Sequence, residues 1–214
     1  GTDACCRVHE DLCEWGLTMT TDTRDGQAGF TLIELMVGAL LTVLVMSLVG
    51  GVIISSTRSE TIVRSVAQAT SAGQAITASV QNGIRNSAVS LNTGTPYRLT
   101  TPSGSDQLLV ALVVSSGTSA TASCAAWYYS ATAGEVRYST STTAIAAPSA
   151  SQLATWTLLS KGVSPISPSA AIFSARGTFG LNLAFQESAG TASPIVFQSA
   201  VTSRTGMSGA IACY

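Results

Sequence analysis

The 214-residue chain is 46% hydrophobic but only 10% charged, with ten basic against eleven acidic side chains and a formal net charge of −1. Soluble domains usually carry about a quarter charged residues, so this alanine-, serine- and threonine-rich surface binds by shape and backbone hydrogen bonds rather than by charge. The balance excludes an electrostatic case for nucleic acid.

The chain opens on a polar stretch, residues 1–28, that holds Cys5, Cys6, His9 and Cys13. Thiolates and an imidazole can hold a metal, but this spacing matches no paired ligand knuckle and no packed domain surrounds it, so no metal is expected. A secretory signal would place an Ala-x-Ala site behind the apolar run that follows. Gly50-Gly51 and the later serines offer none, and the informative junction lies before the run, at Gly29-Phe30-Thr31-Leu32-Ile33-Glu34.

Leu35 to Ile54 is twenty residues without a charge. At about 1.5 Å per helical residue it reaches about 30 Å, the hydrocarbon thickness of a bilayer. A helix that is apolar all round and belongs to a soluble core needs a large protein around it, and only a weakly apolar, Ser/Thr-rich chain follows. The chain is therefore expected to enter a membrane once, taking Glu34 with it. A carboxylate at that depth is costly unless neutral, paired or set in a polar site, which makes it a functional candidate; the alternative is an interfacial acid snorkelling into headgroups. Glu34 lies four residues after Phe30, on the same helical face. Gly38, Ala39, Gly50 and Gly51 permit close helix approach, and the Gly50-Gly51 pair is expected to loosen the helix.

Beyond Ile54, Ile62, Val66, Ala69 and Gly73, then Ile76, Val80 and Ile84, recur at three- and four-residue steps, which predicts an amphipathic continuation of the same helix to about Ser87. From Phe30 such a rod would measure about 85 Å. Leu91 to Pro96 reads as a connection. Short strands are expected at Tyr97 to Thr100, Gln107 to Ser115, Ala126 to Ser130, Val136 to Ser139, Leu153 to Leu159, Ala171 to Ser174, Thr178 to Gln186 and Ile195 to Gln198. Alternation is clearest where Leu181, Leu183 and Phe185 oppose Asn182, Ala184 and Gln186. The aromatics, among them Trp127, Tyr128, Tyr129, Phe173, Phe179 and Phe197, are expected to fill the core or the helix contact. Cys124 and Cys213 can staple the C-terminal tail to the domain or remain two unrelated buried thiols.

Gly29-Phe30-Thr31-Leu32-Ile33-Glu34-Leu35-Met36-Val37 resembles the processing and methylation segment of type IV prepilins and of the pseudopilins of type II secretion and competence systems. The resemblance implies cleavage between Gly29 and Phe30 by a membrane-embedded aspartyl peptidase, N-methylation of Phe30 as the new terminus, and retention of the apolar helix. It also implies that Glu34 pairs with the N-terminal amine of its own or a neighbouring subunit and so sets the axial offset of staggered helices. Met19 would open an eleven-residue leader of ordinary family length, which leaves residues 1–18 outside the working protein. After removal of residues 1–29, eight basic and five acidic side chains remain, a net charge of +3 with no basic patch. More diffusely, Ser105-Asp106, Cys124 with Trp127-Tyr128-Tyr129, Gly134 to Tyr138 and the late alternating strands resemble PilW-type minor pilins and the larger minor pseudopilin of type II secretion.

The expected fold is α+β and pilin-like: a long N-terminal helix packed on a small antiparallel β-rich head. Its parts are a removed leader and upstream extension at 1–29, a transmembrane half-helix at 30–54, an amphipathic half at 55–90 and an exported head at 91–214. No catalysis and no cofactor are expected, because His9 is the sole histidine and leaves with the leader, while Asp106, Glu135 and Glu187 are isolated in sequence. Lys161-Gly162 has no glycine-rich loop before it to cradle a phosphate. The implied function is that of a minor pilin or pseudopilin that assembles into, primes or caps a filament. Its partners would be other pilins or pseudopilins, a prepilin peptidase, a membrane assembly platform and, before assembly, the lipid bilayer of the inner membrane, with the head exported and later displayed on a pilus or pseudopilus. The alternative is a membrane-tethered surface protein that never polymerises and binds a surface ligand or DNA, although the charge pattern does not favour DNA.

Overall fold

A computed structural model of the chain describes residues 29–91, 93–114, 121–204 and 212–214, with the backbone of 208–209. Residues 1–28, with Cys5, Cys6, His9 and Cys13, lie outside the described residues. The chain divides into two compact units, residues 1–51 and 52–214.

A single helix, α1 (Leu32–Arg85), supplies residues to both units. Many serines and threonines along it are poor helix formers because their hydroxyls compete for backbone groups. Here the hydroxyls turn back onto the preceding turn instead. Thr42 donates to the Gly38 carbonyl at 2.7 Å, Thr70 to Val66 at 2.8 Å and Thr77 to Gly73 at 2.8 Å. Gly50 and Gly51 both carry helical backbone within α1. Each glycine there costs about 1 kcal/mol of helix stability against alanine. At the far end, Ser87 closes the helix by donating its hydroxyl to the Ile84 carbonyl at 2.6 Å.

Within the second unit, the chain leaves α1 through β1 (Val89–Ser90) and enters a five-stranded antiparallel sheet of β2 (Tyr97–Thr100), β3 (Gln107–Val114), β4 (Ala122–Ser130), β5 (Glu135–Ser141) and, after a short helix α2 (Ala150–Thr155), β6 (Thr157–Lys161), ordered β2-β3-β4-β5-β6. A second antiparallel sheet sets β9 (Gly180–Glu187) between β10 (Ile195–Thr202) on one side and β7 (Val163–Ser164) and β8 (Phe173–Arg176) on the other. The final pair, β11 (Ser208–Gly209), lies parallel to β1.

Strand β3 reads as one apolar run because both its faces are covered, which is the pattern of a strand buried on both sides. Leu109 and Ala111 join Ile76, Val80 and Ile84 of α1, Trp127 of β4 and Leu181, Leu183 and Phe185 of β9 in one core. Leu108, Val110 and Leu112 face the other way, into a second core with Ala88, Cys124, Tyr128 and Cys213 that is closed by Ile145, Leu153 and Trp156.

The helix is keyed into the first core by polar contacts and by missing side chains. Trp127 Nε1 donates to Ser79 Oγ at 2.8 Å, and Gln81 Nε2 donates to Ser199 Oγ at 3.0 Å. A Cβ on Gly73 would stand 2.2 Å from the Phe197 ring, and one on Gly83 would stand 2.1 Å from Trp127. These glycines are notches for aromatic rings, and Gly83 is absent from the predicted apolar series.

Three expectations are corrected. Leu153 to Leu159 is not one strand: Ser149 and Gln152 form a reciprocal capping box that starts α2, and β6 begins only at Thr157, as the Ser-x-x-Gln spacing allows. Full burial of the helix face starts at Ala69, with Ser65 and Val66 half-buried one turn earlier, while Ile62 remains 43% exposed. Phe179 is 46% exposed, because it sits in the β8–β9 connection rather than on an inward strand position.

Candidate functional site

The described chain begins at Gly29 and Phe30, both outside the helix, with Phe30 80% exposed. Thr31 then caps α1. The Glu34 N–H donates to Thr31 Oγ1 at 3.3 Å and to the Thr31 carbonyl at 3.0 Å, and the Leu35 N–H reaches the same carbonyl at 3.2 Å. Thr31 therefore satisfies helix-start donors that would otherwise be orphaned. Glu34 falls in the first turn, where the positive end of the helix dipole favours an acid. The sequence reading missed Thr31, although Thr-x-x-Glu ahead of an apolar run is a helix-start signature. The Glu34 carboxylate makes no ion pair among the described residues.

From Leu32 to Ile54 the large apolar side chains all stand exposed. Length and composition suffice for this helix to cross a membrane, and none of its most apolar window is buried. Directions in which a Cβ would grow from Gly38, Gly50 and Gly51 are open to 4 Å, so each leaves a shallow place on the surface of the first unit.

In the second unit, Cys124 and Cys213 are joined in a disulfide across 89 residues of sequence and are buried. The segment around Cys213 closes the outer core: its carbonyl accepts the Ile145 N–H at 3.1 Å, and the Tyr214 hydroxyl donates to the Thr95 carbonyl at 2.8 Å.

The three acids that are isolated in sequence have separate structural duties. Asp106 accepts the Tyr128 hydroxyl at 2.6 Å and the Ala131 N–H at 2.8 Å. Burial, together with that carboxylate, pushes the Tyr128 phenol up to about 12. Glu135 is held below the usual carboxylate range by hydrogen bonds from Arg137 and Lys161, and Arg137 also reaches the Trp156 carbonyl at 3.3 Å, just past the end of α2.

Glu187 is the exception, since it is 2% exposed, its Oε1 accepts from the Ser160 hydroxyl, and its Oε2 has no partner among the described residues. Burial raises its pKa, and the Ser160 hydrogen bond opposes that only in part. The fold therefore holds a proton on Glu187 more tightly than the unfolded chain does. The associated stability is complete below the unfolded value, about pH 4, and is lost as pH rises through the higher folded value. Glu187→Gln is expected to lose less stability between acid and neutral pH than the parent chain. Urea unfolding of both proteins across that range measures the difference, and parallel pH profiles would contradict the assignment.

A long N-terminal helix whose Leu35 to Ile54 stretch is uncharged and exposed, followed in the chain by antiparallel β-sheets, fits a membrane-anchored, pilin-like protein. Residues 24–50 match the prokaryotic N-terminal methylation motif. The chain thus carries the prepilin-type cleavage and methylation signal, which supports a type IV pilin- or pseudopilin-like protein and, in general terms, pilin partners and processing by a prepilin peptidase. Neither a curated protein nor a solved structure matches the chain.

Proposed function

We propose that this protein is a minor pilin or pseudopilin subunit that assembles into, primes or caps a type IV pilus-like filament through its N-terminal helix. The observation that carries this reading is Glu34, an acid in the first turn of an uncharged exposed helix and inside the methylation motif. In a bilayer such a carboxylate needs a partner. The amine of Phe30, freed by cleavage after Gly29 in the same or a neighbouring subunit, supplies one. Two staggered helices that satisfy each other without water make axial register an energy difference. Open backbone at Gly38, Gly50 and Gly51 supports close approach of neighbouring helices.

The role is one of assembly and binding rather than catalysis. The segment after Gly29 contains no histidine, and mechanical work would come from a separate cytoplasmic motor. A prepilin peptidase, sibling pilins or pseudopilins and a membrane assembly platform are the partners. The protein would reside in the inner membrane with its head exported before joining a filament at the cell surface.

Glu34→Ala is expected to insert and be processed normally yet be missing from filaments sheared off cells, as read by immunoblot of the sheared fraction. Incorporation at the parental level would overturn the role given to Glu34. If the processed parent chain itself stays in the membrane without filament partners, the non-polymerising tether replaces the filament reading. Intact-mass measurement of the cell-derived protein checks the processing independently, with cleavage after Gly29, one added methyl group and the Cys124–Cys213 bond as the expected result.

A further inference from the structure

At one end of the five-stranded sheet, Gln107 of β3 lies directly across from Tyr129 of β4. Both are more than nine-tenths buried, at 7% and 4% exposure. Gln107 Oε1 accepts the Phe173 N–H at 2.9 Å, and only the oxygen end of the amide can accept. That fixes the amide orientation and turns Nε2 away from Phe173. Neither this nitrogen nor the Tyr129 hydroxyl has a hydrogen-bond partner among the described residues. Glu187 Oε2 is nevertheless the one side-chain polar atom among them that is both unpartnered and fully enclosed. The free Gln107 amide and Tyr129 phenol therefore reach open space, and both line a cleft of about 250 Å³.

The rest of the cleft is apolar within and hydroxylic at its mouth. Pro165 and Pro168, with Ala170 and Ile172, form one wall in the β7–β8 connection. The prolines restrict φ, and the Ala170 N–H closes a turn onto the Ser167 carbonyl at 2.9 Å, so the wall is stiff. Thr101, Ser105 and Ser169 bring exposed hydroxyls to the rim. No charged residue lines the cleft.

These features select a ligand. An anion would lose its hydration beside the Asp106 carboxylate, whose charge already acts on the Tyr129 phenol, and a cation would find that carboxylate outside the lining and already bonded to Tyr128 and Ala131. A wholly apolar molecule would leave the phenol and the amide buried and unsatisfied, which costs about as much as the contact gains. A volume below the roughly 300–1,000 Å³ of drug-sized sites suits one ring. We infer that this cleft binds a single uncharged pyranose unit, either a free sugar or the terminal residue of a glycan, with the ring hydroxyls on Tyr129 and Gln107 and its C–H face on the proline wall. The inference stands on the head alone and does not depend on filament assembly.

Saturation-transfer NMR on the full chain in phosphatidylcholine nanodiscs provides the test. The probes are the methyl glycosides of glucose, galactose, mannose and N-acetylglucosamine, with glucuronate and glucosamine as charged controls. At least one neutral glycoside is expected to bind in the millimolar range, and neither control to match it. Tyr129→Phe keeps the ring in the core and removes only an unpartnered hydroxyl, so it should melt no lower than the parent while weakening binding about fivefold. Ser169→Trp, at an exposed position on the rim, should block the mouth and abolish binding. An oligosaccharide ending in the same ring identifies glycan termini as the source if it binds as well as the glycoside, and free sugar if it does not. The inference fails if no neutral glycoside gives a signal, if the charged controls bind equally, or if both variants bind like the parent.

Discussion

Replacing Gly83 with alanine is expected to destabilise the protein by about 1–3 kcal/mol, the range for overpacking a filled core, although the same exchange in an open helix gains about 1 kcal/mol. The added methyl would stand 2.1 Å from the Trp127 ring. Trp127 cannot yield freely, because it is buried, hydrogen-bonded to Ser79 and tilted against Tyr138 with ring centroids 5.4 Å apart. At a chain length near 200 residues, the loss corresponds to a fall of roughly 3–10 °C in melting temperature. The double variant Gly83→Ala, Trp127→Phe removes the outer ring atoms that collide, so its destabilisation should be smaller than the sum of the single changes. Thermal unfolding by near-ultraviolet circular dichroism checks both points, and a Gly83→Ala protein that melts with the parent would show that the helix does not rest in this notch.

Breaking the Cys124–Cys213 bond should cost more, about 4 kcal/mol on the chain-entropy scale for a loop of this size. Local consequences should be larger than an average over the domain suggests. Cys213 is buried in the outer core beside Leu112 and Tyr128, and its carbonyl anchors Ile145. Cys124→Ala, Cys213→Ala is therefore expected to show faster amide exchange in residues 142–156 and in the last residues of the chain. The α1–β9 core should remain protected. Uniform loss of protection over the whole head would contradict this division into two cores, and an unchanged melting temperature would show that the bond contributes nothing.

The elements that were legible in the sequence have causes confined to one stretch of chain. Leu35 to Ile54 declares itself by the absence of charge, and Glu34 by standing at its edge. Leu181, Leu183 and Phe185 declare β9 through alternation. Long-range causes left no such trace. Gly83 is required by a tryptophan on a distant strand, and glycine adds nothing to an apolar periodicity. Gln107 and Tyr129 meet only through the β3–β4 register. Glu187 shows a signal read too briefly: it shares the parity of Leu181, Leu183 and Phe185, so one more step of the alternation turns it inward, where it is found. The last three residues of α2, Leu153 to Thr155, fall within an expected strand because Leu153 and Trp156 suit either state, while the deciding capping pair lies at Ser149 and Gln152.

The late position of the strap that covers the outer core has a bearing on how the head matures. Leu108, Val110, Leu112 and Tyr128 are covered in part by Ile145, Leu153 and Trp156, but their cover is complete only with Cys213, which is made last. The five-stranded sheet can therefore hydrogen-bond strand by strand before its outer face is fully covered. The Cys124–Cys213 bond then ties the last-made segment to a strand made 89 residues earlier.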